Sequence, residues 1–344
     1  MESVKVMHIP VEIAGQVGLI CDTLMNKGIH AIGFNYFLTY LNYNRVIPIE
    51  SYELIKLLEY SILNYDLFHF HNSYTFIEDK RDIQMIREAG RGVIMHHRGN
   101  DVRSHKRAKA WNGYKNPYVN TDSSFPEEEI EQNLKFFAKH VSAAIVQDYE
   151  LYHYVADYYA AEGKKVYVLP RLFVPSSVTP PSPKSQKSDP PLIVHAPTHR
   201  EFKGTKFIIN AVEKLAKEVP LRFKLVEGMS HDEAMALYKE ADIVIDQVLC
   251  GAYGNLSVEA MALGKAVVCY IRPDLKDTLP ADLPILSCNP DTLYDGLKEL
   301  VLHPELRVQR GQQGIAYVKK HHDADQIILQ LISIYEEVLG RSIL

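Results

Sequence analysis

The sequence predicts an α/β protein made of two doubly wound halves, each with a parallel sheet covered by helices. In the first half, short apolar runs alternate with helical patterns, as they do in a parallel sheet with helical crossovers. A proline- and serine-rich stretch without helical or strand period follows Pro170. The same alternation then begins again. We therefore predict a first domain at residues 1–172, a linker at 173–191 and a second domain at 192–324.

The individual elements follow from the apolar runs. The predicted strands cover residues 4–9, 29–34, 66–70, 92–96, 143–146 and 166–169 in the first half, and 192–195, 221–226, 241–245 and 266–270 in the second. Helices are predicted where apolar residues recur at 3.6 spacing, at residues 54–62, 130–141, 205–217 and 232–239, and from about residue 255. A final helix at 325–339 has no strand after it, so residues 325–344 are available to pack back on the first domain.

Composition and charge exclude several classes of protein. With 47% hydrophobic and 24% charged residues, the chain has an ordinary globular composition, and its net charge of −5 argues against a dedicated nucleic-acid binder. The four cysteines form neither a C-x-x-C pair nor a dense disulfide or zinc framework, which fits a reducing cytoplasm. The first residues have the pattern of a strand, and no apolar stretch approaches about 20 residues, so we expect neither a signal peptide nor a membrane span.

The stretch at residues 246–270 has the pattern of an anion-binding loop. A strand is predicted on either side of it, and Gly251 and Gly254 let the backbone turn and approach a ligand closely. A helix begins near Asn255, and its unpaired N–H groups and positive dipole end attract an anion such as a phosphate. Glu259 lies about one helical turn further on, where its carboxylate can accept hydrogen bonds from sugar or ribose hydroxyls.

Two cations follow the first strand of the second half. Arg200 and Lys203 stand just before the helix at 205–217. At that position they can clamp a diphosphate, the arginine as a bidentate fork and the lysine as a point charge. The alternative is that both are solvated loop charges. Their position after a strand favours the clamp, because ligands of open α/β sheets bind beyond the strand ends.

A pair of glycines follows the first strand of the first half. Gly15 and Gly18 are spaced G-x-x-G, so the dinucleotide fingerprint G-x-G-x-x-G is absent. These glycines either expose backbone N–H groups to a phosphate at a helix start or only allow close packing.

The loop after the strand at 92–96 gathers polar side chains: His96, His97, Asn100, Asp101 and Arg103. One of the two adjacent histidines should point inward and the other away. A histidine can donate to a sugar hydroxyl or shuttle a proton near neutral pH, and Asp101 can orient it or bind an acceptor hydroxyl. Polar packing without a ligand is the alternative.

Two further features have weaker functional interpretations. His69 and His71 alternate along a strand and so point to the same face, but a third metal ligand is not evident, and we predict no metal. Residues 98–115 hold six lysines and arginines against a single acid, Asp101. This basic segment could meet an anionic acceptor or a membrane surface, or it is a solvated loop.

The second half carries the residues of a known family. The segments H-R-E-F-K-G-T-K and Y-G-N-L-S-V-E-A-M-A-L-G-K-A-V-V resemble the donor-binding half of the retaining glycosyltransferases of family 4. The first half is similar to this family through the glycine loop, the H-R-G-N-D-V-R segment and the V-L-P turn that ends at Pro170. The resemblance implies the GT-B fold, in which two Rossmann-like domains face a central cleft. It also implies transfer of a sugar from a nucleotide-sugar donor to a glycan, lipid-linked or protein acceptor, without cofactor or metal.

The resemblance also implies roles for the residues of the second half. Lys203, with Arg200 nearby, would neutralise the donor diphosphate, and Glu259 would hold the nucleotide ribose. Backbone amides would line the donor sugar and phosphate, those of Gly254, Asn255, Leu256 and Ser257. Retention is ascribed in this family to a front-face displacement, in which the donor phosphate helps to deprotonate the acceptor.

In the first half, the resemblance places Gly15 against the phosphates and His97 against the donor sugar near the reacting carbon. His97 and Glu259 are therefore the predicted catalytic residues. Asn100, Asp101 and Arg103 are assigned to an acceptor or sugar pocket. With the basic segment at 98–115, these assignments predict a cytoplasmic enzyme that can contact the inner face of a membrane.

This chain departs from the family at two positions. The family has a glutamate eight residues before the position of Glu259, where this chain has Gly251, so recognition of the sugar by that carboxylate is lost or moved, for example to Asp246. The usual arginine five residues before the loop lysine is Thr198 here. Two alternatives to a transferase therefore stay open: a non-catalytic module that binds a nucleotide or glycan, and a sugar-nucleotide epimerase.

Overall fold

The computed structural model describes residues 3–37, 39–110, 116–122, 124–180 and 190–344. Its strands are β1 (Lys5–Ile9), β2 (His30–Asn35), β3 (Ile47–Pro48), β4 (Leu67–His71), β5 (Gly92–His96), β6 (Ala143–Val146), β7 (Val166–Val168), β8 (Leu192–His195), β9 (Arg222–Leu225), β10 (Ile243–Ile245) and β11 (Ala266–Val268). Strands and helices alternate along both halves, so the predicted α/β class is confirmed.

The helices cover the segments between these strands. They are α1 (Gln16–Asn26), α2 (Ser51–Lys56), α3 (Leu58–Asn64), α4 (Arg81–Glu88), α5 (His105–Ala110), α6 (Glu127–His140), α7 (Tyr149–Ala161), α8 (Arg200–Lys203), α9 (Thr205–Leu215), α10 (His231–Glu240), α11 (Asn255–Ala262), α12 (Leu293–Leu302), α13 (Pro304–His321) and α14 (Ala324–Leu339). Short 3₁₀ turns occur at Pro117–Asn120, Pro175–Ser177 and Pro273–Thr278. The single helix predicted around residues 54–62 is divided into α2 and α3, because the chain tightens to an i→i+3 hydrogen bond from Leu57 N–H to Leu54 O (3.0 Å).

The chain forms two compact units. The first comprises Met1–Arg107, Ser124–Leu172 and Ala324–Leu344, and the second comprises Ala108–Ser123 and Phe173–Asp323. The segment Ala108–Ser123, which the sequence placed in the first domain, belongs to the second unit. Its Tyr118 ring packs edge-on against Phe202, with the ring centroids 5.5 Å apart. Residues 181–189 of the predicted linker and 111–115 of the basic segment lie outside the described residues.

The first unit contains a seven-stranded sheet in the order β3-β2-β1-β4-β5-β6-β7, with every pairing parallel. Every residue of β4 and β5 is buried, as expected for central strands covered on both faces. From β1 the chain adds β2 and β3 on one side and then β4 to β7 on the other. The switch point, where ligands of such sheets bind, therefore lies between β1 and β4. The final helix, α14, covers one face of this sheet and approaches β5 closely at Gly92.

The second unit contains a four-stranded parallel sheet in the order β11-β10-β8-β9. Successive residues of its strands alternate between two cores: Val194 and Val244 pack with α11 and α13, whereas Ile193 and Ile243 pack with α9 and α12. The switch point of this sheet lies between β8 and β10. The loops that follow these two strands therefore meet at one edge, and they carry the predicted cations and the predicted anion-binding loop. Among the described helices, none has the length and apolar character needed to cross a bilayer.

Candidate functional site

A buried ion pair joins the two loops at the switch point of the second unit. Lys203, the last residue of α8, donates from Nζ to Asp246 Oδ1 (2.7 Å) and to Gln247 Oε1 (2.8 Å). Asp246 is fully buried, and the Lys203 side chain is 13% exposed. Burial acts to raise the pKa of Asp246, but the charge of Lys203 and the hydrogen bonds to the carboxylate outweigh it and hold this pKa below its usual value. Asp246 is therefore ionised and fixes the lysine ammonium in place.

The same carboxylate organises the start of α11. Asp246 Oδ2 accepts hydrogen bonds from Gly254 N–H and from the Ser257 hydroxyl, both at 2.7 Å. The first helical hydrogen bond runs from Val258 N–H to Gly254 O (3.4 Å), so the amides of Asn255, Leu256 and Ser257 precede the helical ladder. The structure thus brings a fixed cation next to the N-terminal amides of a helix, which is a favourable arrangement for a phosphate.

Glu259 lies one turn further along α11. Its Oε1 is 2.8 Å from Nε2 of His231, the first residue of α10. The Glu259 side chain is 15% exposed, and the His231 side chain is 33% exposed. The sequence did not point to His231, because nothing in its local pattern links it to a glutamate 28 positions away.

The predicted clamp of Arg200 and Lys203 is not assembled in this structure. Arg200 donates from Nε and Nη2 to the two carboxylate oxygens of Glu227, whereas Lys203 pairs with Asp246. The Arg200 side chain is 60% exposed, so its ion pair is screened by water and contributes little to stability. Lys203 is the cation that the fold holds at the switch point, and Arg200 is a surface charge.

In the first unit, His97 is fully buried and uses both ring nitrogens. Its Nδ1 lies 2.7 Å from Asp101 Oδ2 and its Nε2 lies 2.8 Å from the Tyr159 hydroxyl. Asp101 also accepts from the Ser73 hydroxyl (2.9 Å) and from two backbone N–H groups. The predicted partnership of His97 and Asp101 is present, but a sugar contact by His97 requires that one of its two hydrogen bonds breaks. The catalytic role of His97 stays a prediction with that condition.

The two other residues assigned to the acceptor pocket differ in exposure. Arg103 forms a buried, bidentate ion pair with Glu150, at 2.8 to 3.1 Å. Asn100 is exposed, and its backbone carbonyl accepts from Phe125 N–H (2.9 Å). Of these two residues, only Asn100 presents its side chain to solvent.

The glycine loop after β1 already holds an anion of the protein itself. Gly15 has φ +73° and caps α1, as the predicted turn requires. The first-turn amides of Val17 and Gly18, however, donate to the two carboxylate oxygens of Glu12, at 3.2 and 2.8 Å. Burial raises the pKa of Glu12, although these backbone hydrogen bonds act to lower it. A phosphate at this helix N-terminus would have to displace Glu12, which the sequence pattern did not reveal.

A cluster of buried histidines lies on the sheet face of the first unit that α14 covers. Nitrogen atoms of His8, His69 and His71 all lie within 4.8 Å of one another, so His8 is the third potential metal ligand that the sequence left unidentified. The ring planes of His69 and His71 differ by only 11°, and those of His8 and His69 by 29°. These pairs of rings are stacked, with centroids 4.6 and 4.5 Å apart, and because imidazole lone pairs lie in the ring plane, stacked rings do not direct their lone pairs at one ion. The Arg98 guanidinium, which donates to His71 Nδ1 (3.1 Å), also opposes a dication.

Comparison with known proteins establishes the fold. No family model matches the sequence, and no curated protein matches it significantly. Sucrose-phosphate synthase from Thermosynechococcus elongatus superposes with a TM-score of 0.68 at 14% identity, covering 98% of this chain and 99% of that one. A glycosyltransferase from Rickettsia africae ESF-5 gives 0.67 at 14% identity, with 99% and 100% covered. HepE from Anabaena, solved in complex with UDP and glucose, gives 0.66 at 14% identity, with 97% and 100% covered. The chain has the GT-B fold.

Within this GT-B chain, the backbone at Gly251 excludes any side chain. Gly251 has φ +90°, and a Cβ added there would lie 2.7 Å from Cβ of Arg272. Arg272 is fully buried, and its N–H donates to Gly251 O (2.9 Å). The glutamate expected here from the resemblance therefore has no room. Asp246, the suggested replacement, already uses both oxygens for Lys203 and α11.

Replacing Gly251 by alanine is expected to lower the free energy of unfolding of the second unit by about 2–5 kcal/mol. The left-handed conformation costs a residue with Cβ about 1–2 kcal/mol, and overpacking against Arg272 costs about 1–3 kcal/mol more. Gly228→Ala is the matched control, because Gly228 has φ +65° with no atom within 4 Å of an added Cβ. Urea unfolding of both variants measures the difference, and equal losses would show that Arg272 moves aside at no cost.

A pocket of about 540 Å³ also opens in the second unit beside α8 and the start of α9. Its basic lining residues, Arg200 and Lys206, are balanced by Glu201 and Asp291, and Lys203 does not line it. This balance of charge gives the pocket no preference for an anion, in contrast to the Lys203 site.

Proposed function

We propose that this chain is a glycosyltransferase that moves a sugar from a nucleotide-sugar donor to a glycan, lipid-linked or protein acceptor, with retention of anomeric configuration and without a metal. The arrangement of Lys203, Asp246 and the N-terminus of α11 carries the proposal. It offers a diphosphate a fixed positive charge and the amides of α11 that make no helical hydrogen bond, at the switch point of the second sheet. The complexes of HepE with UDP and glucose and with UDP-glucose support this class of donor.

In the proposed reaction, the bond between the anomeric carbon and the diphosphate oxygen breaks, and a bond from that carbon to the acceptor oxygen forms. The acceptor proton passes to the departing phosphate oxygen. Lys203 and the amides of Asn255, Leu256 and Ser257 stabilise the negative charge that develops on the leaving diphosphate, which is the task a metal performs in other transferases. Asp246 holds Lys203 in position before substrate arrives, so little reorganisation is needed during the reaction.

Glu259 binds the nucleoside part of the donor in this proposal. Replacing it by glutamine is expected to weaken binding of UDP or ADP by about tenfold or more, since a hydrogen bond to a charged group contributes about 1.5–3 kcal/mol and 1.4 kcal/mol corresponds to a factor of ten. Isothermal titration with both nucleotides checks this. Glu213→Gln, an exposed change on α9, serves as the control. Equal nucleotide affinity in wild type and Glu259→Gln would remove Glu259 from the donor site.

A test of the activity itself uses a panel of nucleotide sugars. Thermal shift identifies the donor that binds, since a ligand at 100 times its Kd stabilises the folded chain by about 2.7 kcal/mol. Product analysis with that donor then distinguishes transfer, hydrolysis and epimerisation.

The geometry at Gly251 favours one second candidate, a non-catalytic module that binds a nucleotide or glycan. No side chain at this position can read the donor sugar. A donor that binds but is neither transferred nor hydrolysed would support this module over the enzyme.

Cytoplasmic location and contact with the inner face of a membrane remain parts of the proposal. Two cations of the basic segment are already paired in the first unit: Arg103 with Glu150, and Arg107 with Asp157. This pairing reduces the positive charge that these arginines present to anionic lipid.

A further inference from the structure

The switch point of the first sheet is lined by imidazoles. His8, near the end of β1, is paired in register with His69 of β4, and His71 of β4 is paired with His96 of β5. All four side chains are at most 1% exposed. Because parallel partners in register point to the same face, these rings lie together at the carboxyl edge, where ligands bind in open α/β sheets.

A directional chain of hydrogen bonds begins at Arg98, the second residue after β5. A guanidinium can only donate, so His71 Nδ1 accepts from Arg98 Nη2 (3.1 Å). Burial lowers the pKa of both His71 and His8, so each ring is neutral and carries one proton. His71 therefore donates from Nε2 to His8 Nδ1 (3.1 Å), and His8 donates from Nε2 to the Tyr335 hydroxyl (3.2 Å).

The chain continues from α14 back to β5. The Tyr335 hydroxyl donates to His69 Nδ1 (2.7 Å), and His69 donates from Nε2 to His96 Nδ1 (3.2 Å). Burial and then the charge of Arg98 lower the pKa of His96, so this ring is neutral as well. Its single proton must lie on Nε2. The fixed donor at Arg98 thus sets the tautomer of every histidine in the chain.

Two buried donors at this edge have no acceptor. Nε2 of His96 and Nε of Arg98 are inaccessible to solvent and lack a hydrogen-bond partner. Arg98 is 7% exposed and forms no ion pair within the described residues. The nearby carboxylates are committed elsewhere, Glu12 to the amides of α1 and Asp101 to His97. A buried donor that makes no hydrogen bond costs about 1–3 kcal/mol, and a buried charge without an anion costs more.

We propose that Arg98 and His96 bind an oxyanion, a phosphate or a carboxylate, that is carried by the acceptor substrate. The oxygens of such a group can accept from these unpartnered donors, and the group gives the guanidinium a directly paired anion, which Glu12 and Asp101 do not provide. Neutral donors alone would suit a hydroxyl equally well, but the charge of Arg98 selects an anion. The assignment of this group to the acceptor rests on the proposed transferase function, whereas binding of the anion does not.

Isothermal titration of the full chain with inorganic phosphate tests the site, with UDP present in excess so that the Lys203 site does not contribute. We expect Arg98→Met to weaken phosphate binding at least tenfold and Arg98→Lys to weaken it less. The control Arg81→Met, an exposed change on α4, should bind as wild type does. Glucose 6-phosphate, glucuronate and glucose distinguish a charged from a neutral ligand, and we expect only the two charged sugars to compete with phosphate. The one that competes at the lower concentration then identifies the oxyanion as a phosphate or a carboxylate.

A second measurement does not depend on whether Arg98→Met folds. In ¹⁵N-histidine spectra of the wild-type chain, His8, His69, His71 and His96 should all be neutral with the proton on Nε2, and phosphate should shift the Nε2 signal of His96. No shift of that signal, equal affinity in Arg98→Met and Arg81→Met, or displacement of phosphate by stoichiometric Zn²⁺ would each overturn the proposal. Phosphate binding without sugar transfer would refute the transferase and leave the anion site standing.

Discussion

Lowering the pH from 7.5 to 4.5 is expected to destabilise the first unit strongly, through its buried histidines. Burial lowers the pKa of His8 to about 3, and it lowers the pKa values of His69, His71 and His96 well below the usual value of 6.5. Each folded-state pKa is depressed, so the stabilisation is complete above pH 6.5 and is lost as the pH falls from there towards the folded-state pKa.

The size of this loss of stability follows from the interval between pH 6.5 and pH 4.5. At pH 4.5, which is two units below 6.5, His8 alone accounts for a loss of about 2.7 kcal/mol, since each pKa unit corresponds to about 1.36 kcal/mol. The other three histidines act in the same direction. Glu12 acts in the opposite direction, because burial raises its pKa and protonation removes the cost of its buried charge. Arg98 keeps its charge throughout this range.

Urea unfolding across this pH range measures the loss, and hydrogen exchange of β1, β4 and β5 assigns it to the first unit. Replacing His96 by glutamine should flatten the dependence by up to about 1.4 kcal/mol per pH unit, because one fewer proton is taken up on unfolding. The exposed His303 provides the control, since His303→Gln removes a histidine whose side chain is 52% exposed. A stability that stays constant down to pH 4.5 would contradict the prediction.

Replacing Lys203 by methionine is expected to lower the free energy of unfolding of the second unit by about 3–5 kcal/mol, the usual cost of leaving one member of a buried ion pair alone. Asp246 is fully buried, so its charge would lose its only cation within the described residues. Donor nucleotide affinity should fall at the same time, because the same ammonium neutralises the diphosphate. Lys217→Met, an exposed change after α9, should alter neither property.

A double variant separates the two roles of Lys203. Replacing Asp246 by asparagine in the Lys203→Met background removes the stranded charge, so stability should recover in part while nucleotide affinity stays low. Urea unfolding and nucleotide titration of the wild type, Lys203→Met, Asp246→Asn and the double variant give the coupling energy between the two residues. Additive losses in stability would mean that Lys203 and Asp246 do not depend on each other, and the anchoring role of Asp246 would have to be abandoned.

The sequence correctly predicted those features that depend only on local pattern and on the order of elements along the chain. The strands β5, β6 and β8 begin and end as predicted, because their apolar runs are bounded by polar or turn residues. The start of α11 at Asn255 was likewise predicted, since a glycine precedes its helical pattern. The predicted site at 246–270 depends on these local features, and its role in binding a donor remains a prediction.

Partners that are distant in sequence were not predictable. His8 joins His69 and His71 only because β1 pairs with β4 in one register, and a shift of one residue would turn His8 to the other face. Glu12 fills the N-terminus of α1 through a loop conformation that no spacing rule specifies. Lys203 pairs with Asp246 and does not stand beside Arg200 as a clamp, and this depends on where α8 meets the end of β10.

The sequence by itself determined the alternation of strands and helices, the two sheets, and the strand ends where polar side chains collect, because these depend on local periodicity and on the direction of parallel strands. Only the tertiary structure decided which of those side chains remain available to a ligand. Buried polar groups must find partners, and the partners that they find are set by strand register and helix packing. That requirement commits His97 and Asp246 to the protein, and it leaves Arg98 and His96 with donors to offer.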